Sequence, residues 1–425
     1  MPQQSLNPIN LAVNVAGVQA PNPFWLASAP PTNTAYQLLK AFEAGWGGAV
    51  WKTLTNNPIV NVSSRYGAWG LGKHKLIGLN NLELISEKSV AQNCAEIAQV
   101  KTEFPNHAVI ASFMFETKQE WQEAVKACEQ AGVDGFELNF GCPHGMCERG
   151  MGSTVGQNTA LVEEITSWVK AVTRKPVFAK LTPNVTDIIP VGMAAQAGGA
   201  DAVTLINTLN SVMGVDLQTL APQPTVGGYS SHGGYSGLAV KPIALHMVSQ
   251  LAMHPHFHLP ISGVGGVGTW QDAAEFLALG ASSVQVATAV MHRGFSIIKP
   301  MLSGLQAYLA EKRLASVSEL SGISVSKLVA WEALDLNYQV KAEINAETCI
   351  GCNLCYTVCD DAAYQAIAPA PAGTIVPVIL DEACVGCNLC SHVCPVTDCI
   401  TMVNKTPASA DVLPWMKHPK NPRHR

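Results

Sequence analysis

Two stretches carry the most explicit chemistry in the chain. "CIGCNLCYTVCD" begins at Cys349 and "CVGCNLCSHVCP" at Cys384. Both space their cysteines as C-x2-C-x2-C-x3-C. Three closely spaced thiolates clasp one [4Fe–4S] cube, and in a two-cluster ferredoxin the fourth cysteine of each run reaches the other cube. Cluster one is therefore expected on Cys349, Cys352, Cys355 and Cys394, and cluster two on Cys384, Cys387, Cys390 and Cys359. Pro395 follows the second run as the pattern expects, whereas Asp360 stands in that place in the first. A zinc ribbon, which also uses C-x2-C pairs, is the alternative. Tight cysteine runs repeated twice, without a spread of histidines, argue against it. Cys399 is left over and reads as a buried neutral thiol. Clusters carry single electrons, so the chain needs a site that handles pairs. A flavin trades one electron at a time on one side and a hydride on the other.

A third stretch, "ELNFGCPHGMCERGMG" (137–152), places Cys142 where a buried strand ends and a glycine-rich loop begins. When a hydride adds to one carbon of a polarised double bond, the neighbouring carbon must receive a proton. A thiol on a closing loop can act as that general acid. Gly141, Gly145, Gly150 and Gly152 permit a hinged lid. An inert thiol near the surface, or a free nucleophile, is the alternative.

The elements that must position these groups read as follows. Apolar runs at 24–28, 48–53, 108–113, 135–140, 176–181, 202–207, 259–264 and 283–288 alternate with amphipathic stretches such as "KQEWQEAVKACEQAG" and "TALVEEITSWVKAV". Eight strands, most joined through helices, predict a (β/α)8 TIM barrel, with a doubly wound open sheet as the alternative. "INLAVNVAGVQAPNPF" predicts a hairpin plugging the barrel floor, and "QPTVGGYSSHGGYSG" (223–237) an excursion on the active face. Barrel chemistry sits at the C-terminal ends of strands. Those ends carry Ser28, Lys52, Asn139, Lys180, Asn207 with Thr208, Gly265 with Gly266, and Thr288. "GVGGVG" (263–268) matches G-x-G-x-x-G, but the next strand lacks the acidic residue that a dinucleotide site wants. A phosphate cradle of glycine backbone and a helix N-terminus suits the monophosphate of FMN better.

The bulk numbers agree. The 425 residues suffice for a large domain and a smaller one; 48% are hydrophobic, 13% charged, and the net charge of −5 gives no support for nucleic-acid binding. Nine of the thirteen cysteines follow residue 348, which separates two chemistries. The expected organisation is a catalytic barrel over 1–315, a helical connector over 316–343, a two-cluster ferredoxin-type domain over 344–404, and a loosely ordered polar tail over 405–425. From Lys341 to Lys405 there is no intervening Lys or Arg, against seven acidic residues. That acidic face would suit a basic partner, or is simply solvated. No signal peptide and no membrane span are expected, so the compartment reads as cytoplasmic.

The stretches "NPFWLASAPPT", "AFEAGWGGAVWKT", "NNLELISEK", "ELNFGCPHGMCERGMG", "AKLTPNVTD", "INTLNS", "GGYSGLAVKPIAL" and "ISGVGGV", with the paired cysteine runs, resemble the dihydropyrimidine dehydrogenase family along nearly the whole chain. The resemblance is to the bacterial iron–sulfur and FMN subunit of the NAD-dependent enzyme. It implies reversible reduction of the 5,6 double bond of uracil or thymine. It implies that Ser28, Lys52, Thr53, Lys180, Gly237, Gly265, Gly266, Ala287 and Thr288 bind FMN, and that Asn81, Asn139, Asn207 and Thr208 hydrogen-bond the pyrimidine. It makes Cys142 the general acid that protonates C5 after hydride transfer from FMN N5 to C6, and places Glu83 near the site without a firm role. It also implies a flavoprotein partner subunit in a hetero-oligomer, with electrons passing from NADH through the partner's FAD and the clusters to FMN. Two departures stand out: Gly141 and Cys147 replace Ser and Gly of the eukaryotic enzyme. A dihydroorotate dehydrogenase is one alternative, although it needs a cation for the orotate carboxylate. A non-catalytic iron–sulfur electron carrier is the other.

Overall fold

A computed structural model describes residues 9–57, 59–71, 75–142 and 151–424. The chain divides into two compact units, 1–327 and 328–425. In the first, eight parallel strands close into a barrel. They are β1 (Phe24–Leu26), β2 (Gly48–Val50), β3 (Ala108–Phe113), β4 (Gly135–Asn139), β5 (Val177–Lys180), β6 (Ala202–Leu205), β7 (Ile261–Val264) and β8 (Ala281–Val286). Each lies inside or against one of the eight apolar runs. Strands covered by helices outside and side chains inside are buried on both faces, and so read as unbroken apolar sequence. The two helices singled out in the sequence span Lys118–Gln130 and Thr159–Lys170. Thr117 and Asn158 cap them by accepting backbone N–H bonds at their first turns.

The expected N-terminal hairpin forms from Val13–Val15 and Val18–Ala20, and buries its alternate residues. Its turn lies against Pro176, just before β5, which puts it at the N-terminal end of the barrel. The excursion on the opposite face is more structured than expected. Gly233–Ser236 is the middle of an antiparallel sheet that also contains Leu209–Ser211, Lys75–Asn81 and Tyr66–Leu71.

The stretch expected to be one connector divides between the two units. Val317 and Leu320 are buried with the barrel core, and Ser321 Oγ donates to Ala281 O at 2.8 Å. Farther on, Asn337 Nδ2 donates to Asp411 O at 2.8 Å and Leu413 N to Asp335 Oδ1 at 2.9 Å. Trp331 and Trp415 pack at 5.9 Å between ring centroids. The tail is therefore tied down rather than loose, because its tryptophan and its backbone find partners in residues 331–337.

In the second unit Val340–Ile344 pairs antiparallel with Ile400–Asn404, and a short helix forms within each cysteine run, at Leu354–Ala362 and Leu389–Val393. The sequence duplication is repeated in the backbone. Asn353 and Asn388 enter their helices at φ of +61° and +67°, each two residues after a glycine that also has positive φ, Gly351 or Gly386. Among the described residues, no helix is long and apolar enough to cross a membrane.

Candidate active site and cluster sites

The C-terminal ends of the barrel strands open into a cavity of about 520 Å3. Every site residue named from the sequence for the barrel lines it: Ser28, Lys52, Thr53, Asn81, Asn139, Cys142, Lys180, Asn207, Thr208, Gly237, Gly265, Gly266, Ala287 and Thr288, together with Glu83. Asn139 and Lys180 are the last residues of β4 and β5 and are paired directly across the ladder. The antiparallel sheet roofs the cavity, contributing Asn81 and Tyr235.

One run of hydrogen bonds crosses the floor. Ser28 Oγ lies 3.1 Å from Thr53 Oγ1, which accepts from Asn139 Nδ2 at 3.0 Å, and Asn139 Oδ1 accepts from Asn207 Nδ2 at 3.0 Å. Asn139 Oδ1 also accepts from Gly141 N at 3.2 Å. On the roof, Asn81 Nδ2 donates to Gly234 O at 3.1 Å. These bonds fix the three amides yet leave capacity free. Each amide has two N–H donors and an acceptor oxygen. Among the described residues, neither Asn81 Oδ1 nor the Thr208 hydroxyl is hydrogen-bonded. Such an array suits a flat ring with alternating carbonyl and N–H groups.

Both cavity lysines are buried and each faces a carboxylate. Lys52 Nζ donates to Glu83, whose Oε1 also lies 3.7 Å from Arg65 Nη1. Lys180 Nζ lies 3.4 Å from Glu137 Oε1, and among the described residues makes no hydrogen bond. Its donors are therefore available to a bound group. Cys142 is 8% exposed and packs with Ile85, Met114 and Met151. Its carbonyl accepts from Ser153 N at 2.9 Å, so the chain returns to it on the far side of the loop. Gly152 makes that return possible: its φ is +61°, and a Cβ there would meet Cys142 O at 2.5 Å. Cys147, Gly145 and Gly150 lie outside the described residues. Gly141 is required for space, because a Cβ on it would lie 2.4 Å from Asn207 Cβ.

The phosphate end carries one group that the sequence did not mark, Asp272. The helix after β7, Trp270–Ala278, starts at the cavity wall, where Gly268, Thr269 and Asp272 line it. Asp272 caps the helix: Oδ2 accepts from Gly268 N at 3.0 Å and from Thr269 N at 2.8 Å. Its other oxygen, Oδ1, accepts from Lys241 Nζ at 2.8 Å, so the carboxylate's charge is paired. What remains are the N–H groups of Gly265 and Gly266, at φ of +126° and +81°, which donate to no acceptor among the described residues. The turn at Ala287 and Thr288 lies on the same wall of the cavity. Burial pushes the Asp272 carboxyl up, but hydrogen bonds from Lys241, Gly268 and Thr269 outweigh it and hold the group below the ordinary range. A lowered folded value gives stability that is present above the unfolded value near 3.9 and lost as pH falls through the folded value. Asp272→Ala is expected to destabilise the barrel by about 2 kcal/mol at pH 7. Its difference from the unsubstituted chain should shrink below about pH 4. Denaturant melts at the two pH values check this, and an equal difference at both would contradict it.

In the second unit the eight cysteines divide as the run spacing predicts. Cys349, Cys352, Cys355 and Cys394 surround one small cavity, and Cys359, Cys384, Cys387 and Cys390 surround another. Among the described residues no three ligating side chains stand close enough to share one ion. Four thiols set around a void suit a cube better than a single tetrahedral zinc. Burial pushes the Cys390 thiol of the second set up to about 11 and raises Cys355 in the first, so in each set four thiolates need a positively charged group among them. Cys399 is buried beside the first cavity, 3.8 Å from the Asn345 carbonyl.

The sequence reading missed the roof sheet, the Asp272 cap and one further group. Glu137, read only as part of an apolar strand, is fully buried beneath Lys180. Its place inside a β-strand run was the available signal, since an unpaired carboxylate is not tolerated there.

Comparison with known proteins agrees with this geometry. The dihydroorotate dehydrogenase family model matches residues 10–309, and the 4Fe-4S dicluster domain matches residues 342–402. The NAD-dependent dihydropyrimidine dehydrogenase subunit PreA of Escherichia coli K12 is 42% identical over 359 residues, 84% of this chain and 87% of that one. A chloroplastic dihydropyrimidine dehydrogenase (NADP(+)) of Arabidopsis thaliana is 42% identical over 74% of this chain and 77% of its own. The catalytic subunit of dihydroorotate dehydrogenase B (NAD(+)) of Pyrococcus abyssi is 38% identical over 74% of this chain and 99% of its own. With both parts matched by their own family models and most of its length shared with such relatives, the chain belongs to the dihydropyrimidine dehydrogenase family, on a barrel of the dihydroorotate dehydrogenase type.

Proposed function

We propose that the chain reduces the 5,6 double bond of uracil and thymine reversibly, with FMN in the barrel cavity and two [4Fe–4S] clusters in the second unit. Electrons are exchanged with NADH through a flavoprotein partner subunit. The observation that carries this reading is that three amides, a buried thiol and two buried lysines meet in one cavity. The residues fit the flavin: the unsatisfied Lys180 donors suit its ring carbonyls, and the Gly265 and Gly266 N–H groups suit its phosphate. Lys52, Lys180, Ser28 and Thr53 hold the ring end, and Gly237, Gly265, Gly266, Ala287 and Thr288 the phosphate end. When bound, FMN supplies hydride chemistry and the conversion of electron pairs to single electrons. Asn81, Asn139, Asn207 and Thr208 fix the pyrimidine in register. Cys142 gives a proton at C5 in the direction of reduction and takes one in the reverse direction.

The dihydroorotate relatives favour a second reading, in which orotate is the substrate. Among the described residues, Asn81, Asn139, Asn207 and Thr208 bring amides and a hydroxyl to this cavity, which supports the uncharged base. The test is anaerobic. The FMN-loaded chain is photoreduced and mixed with uracil, thymine or orotate while flavin reoxidation is followed. Reoxidation by uracil or thymine and not by orotate is the expected result. Reoxidation by orotate alone would move the chain to the dihydroorotate class, and none by any would leave an electron carrier. Asn207→Ala removes one ring contact and a support of Asn139. Its kcat/KM for uracil is expected to fall by about tenfold to a hundredfold. An unchanged value in steady-state assays would remove Asn207 from the substrate site.

A further inference from the structure

The interior of an eight-stranded barrel is ordinarily filled by branched apolar side chains in layers drawn from alternate strands. Here one layer is polar. Glu137 on β4, Thr204 on β6 and Gln285 on β8 meet at its centre, all buried. Glu137 Oε2 accepts from Thr204 Oγ1 at 2.9 Å and from Gln285 Nε2 at 3.2 Å. Gln285 Nε2 also reaches Ser262 Oγ at 3.1 Å, and Ser283 Oγ donates to the same Ser262 Oγ at 2.9 Å. The other carboxylate oxygen, Glu137 Oε1, accepts no hydrogen bond among the described residues and faces Lys180 Nζ at 3.4 Å. Glu137 is 0% exposed and Lys180 5%. Desolvating such a pair is costly, and apolar residues of similar volume commonly serve stability better. The layer therefore needs another reason. Its members that line the cavity are Lys180 and Gln285.

We propose that Glu137 is a positioning residue for the flavin end of the site. Two hydrogen bonds pin one of its oxygens, and the other balances and anchors the Lys180 ammonium from below. Lys180 is thereby held with its remaining N–H donors turned into the cavity, and the wall carries no net charge from the pair. This rests on the reading that the cavity binds FMN. The consequence is electrostatic. A flavin accepts negative charge on reduction, so an uncompensated lysine beside it favours the reduced form, and Glu137 opposes that bias.

The test uses the full chain with FMN and clusters, unsubstituted and as Glu137→Gln and Glu137→Asp. Gln keeps the shape and loses the charge; Asp keeps the charge. The readout is the flavin two-electron potential from dye-equilibrated reduction, with flavin content and melting temperature as controls. Glu137→Gln is expected to shift the equilibrium toward reduced flavin at least tenfold, an upward move of about 30 mV for a two-electron couple. Glu137→Asp is expected to stay within about threefold of the unsubstituted chain. A Glu137→Gln potential that does not move, in a folded and flavin-loaded chain, overturns the assignment, because a space-filling role would be met by Gln. Should Glu137→Gln fail to fold, the double variant Glu137→Gln with Lys180→Gln decides. It leaves neither charge unpaired, so folding supports the coupling of the two groups and failure overturns it. An unsubstituted chain that takes up no FMN would instead sink the functional reading itself.

Discussion

Replacing Cys142 by Ala is expected to lower the rate of pyrimidine turnover by a factor on the order of 10²–10⁴, with flavin and iron content unchanged. The argument is positional. Cys142 follows Asn139 by three residues, and the Gly141 N–H bonded to the Asn139 amide ties the two together. The thiol packs with Ile85, Met114 and Met151 on one side and lines the cavity on the other, which sets it beside the substrate. Losing one sulfur from so small a cluster costs about 1 kcal/mol of packing, too little to unfold the barrel. Among the described residues of the cavity wall, burial and the Arg293 charge hold His292 below its ordinary range, so at neutral pH it carries less of the proton it would have to give, and three further groups are engaged differently. Glu83 is held by Lys52, Asp272 caps a helix, and burial raises the Tyr235 phenol further above neutrality. Cys142→Ser distinguishes acid strength from mere contact. A hydroxyl keeps the hydrogen bond but is a far weaker acid, so its turnover should stay low at neutral pH. Stopped-flow reoxidation of the photoreduced chain by uracil measures the step directly. A Cys142→Ala rate within twofold of the unsubstituted chain would show that the proton comes from elsewhere.

The parts legible in the sequence and the parts hidden from it differ for physical reasons. Barrel strands are buried on both faces, so "AVIASF" announces β3 to the residue. Strand-end polar residues announce the site, because the barrel topology sends every one of them to the same face. The roof sheet gave no such signal. Tyr66–Leu71 is mostly exposed and Lys75–Asn81 carries glycine and asparagine, so neither alternates cleanly. Its pairing, Asn81 with Gly234, joins residues far apart in sequence, and no local pattern encodes that. The same holds for Glu137. Its meaning depends on Lys180, Thr204 and Gln285, each from a different strand. At β7 the glycines were legible, but the Asp272 cap on the following helix was not. Thr269 and Asp272 are spaced as a capping pair, and Asp272 takes the N–H groups of Gly268 and Thr269.

If the chain works with a flavoprotein partner as proposed, Cys390→Ser is expected to abolish NADH-linked turnover while leaving the barrel's own half-reaction intact. Residues 328–425 have little apolar core: Ala342, Ala366, Ile367 and Ile400 are buried together with Cys355, Cys359, Cys390 and Cys399. Cysteine thus supplies half of the buried side chains in that core. A unit of this size with so small a core depends on its inorganic centres for stability, as other small metal-organised domains do. Loss of one ligand therefore removes a cluster and loosens the unit around it. The barrel has its own extensive core within 1–327 and shares none of those side chains. Changes with no shared partners act independently to within a factor of about two. Reoxidation of photoreduced flavin by uracil should then stay within that factor in the variant. Iron and sulfide analysis reports the lost cluster, and limited proteolysis reports where the chain opens. Cleavage should appear within 328–425 and spare the barrel, and iron removal from the unsubstituted chain by a chelator should reproduce the pattern. NADH-linked turnover that survives the loss of the cluster would show that electrons reach the flavin without passing through the second unit. A barrel that loses its half-reaction together with the cluster would show that the two units are one functional body rather than two joined by electron transfer.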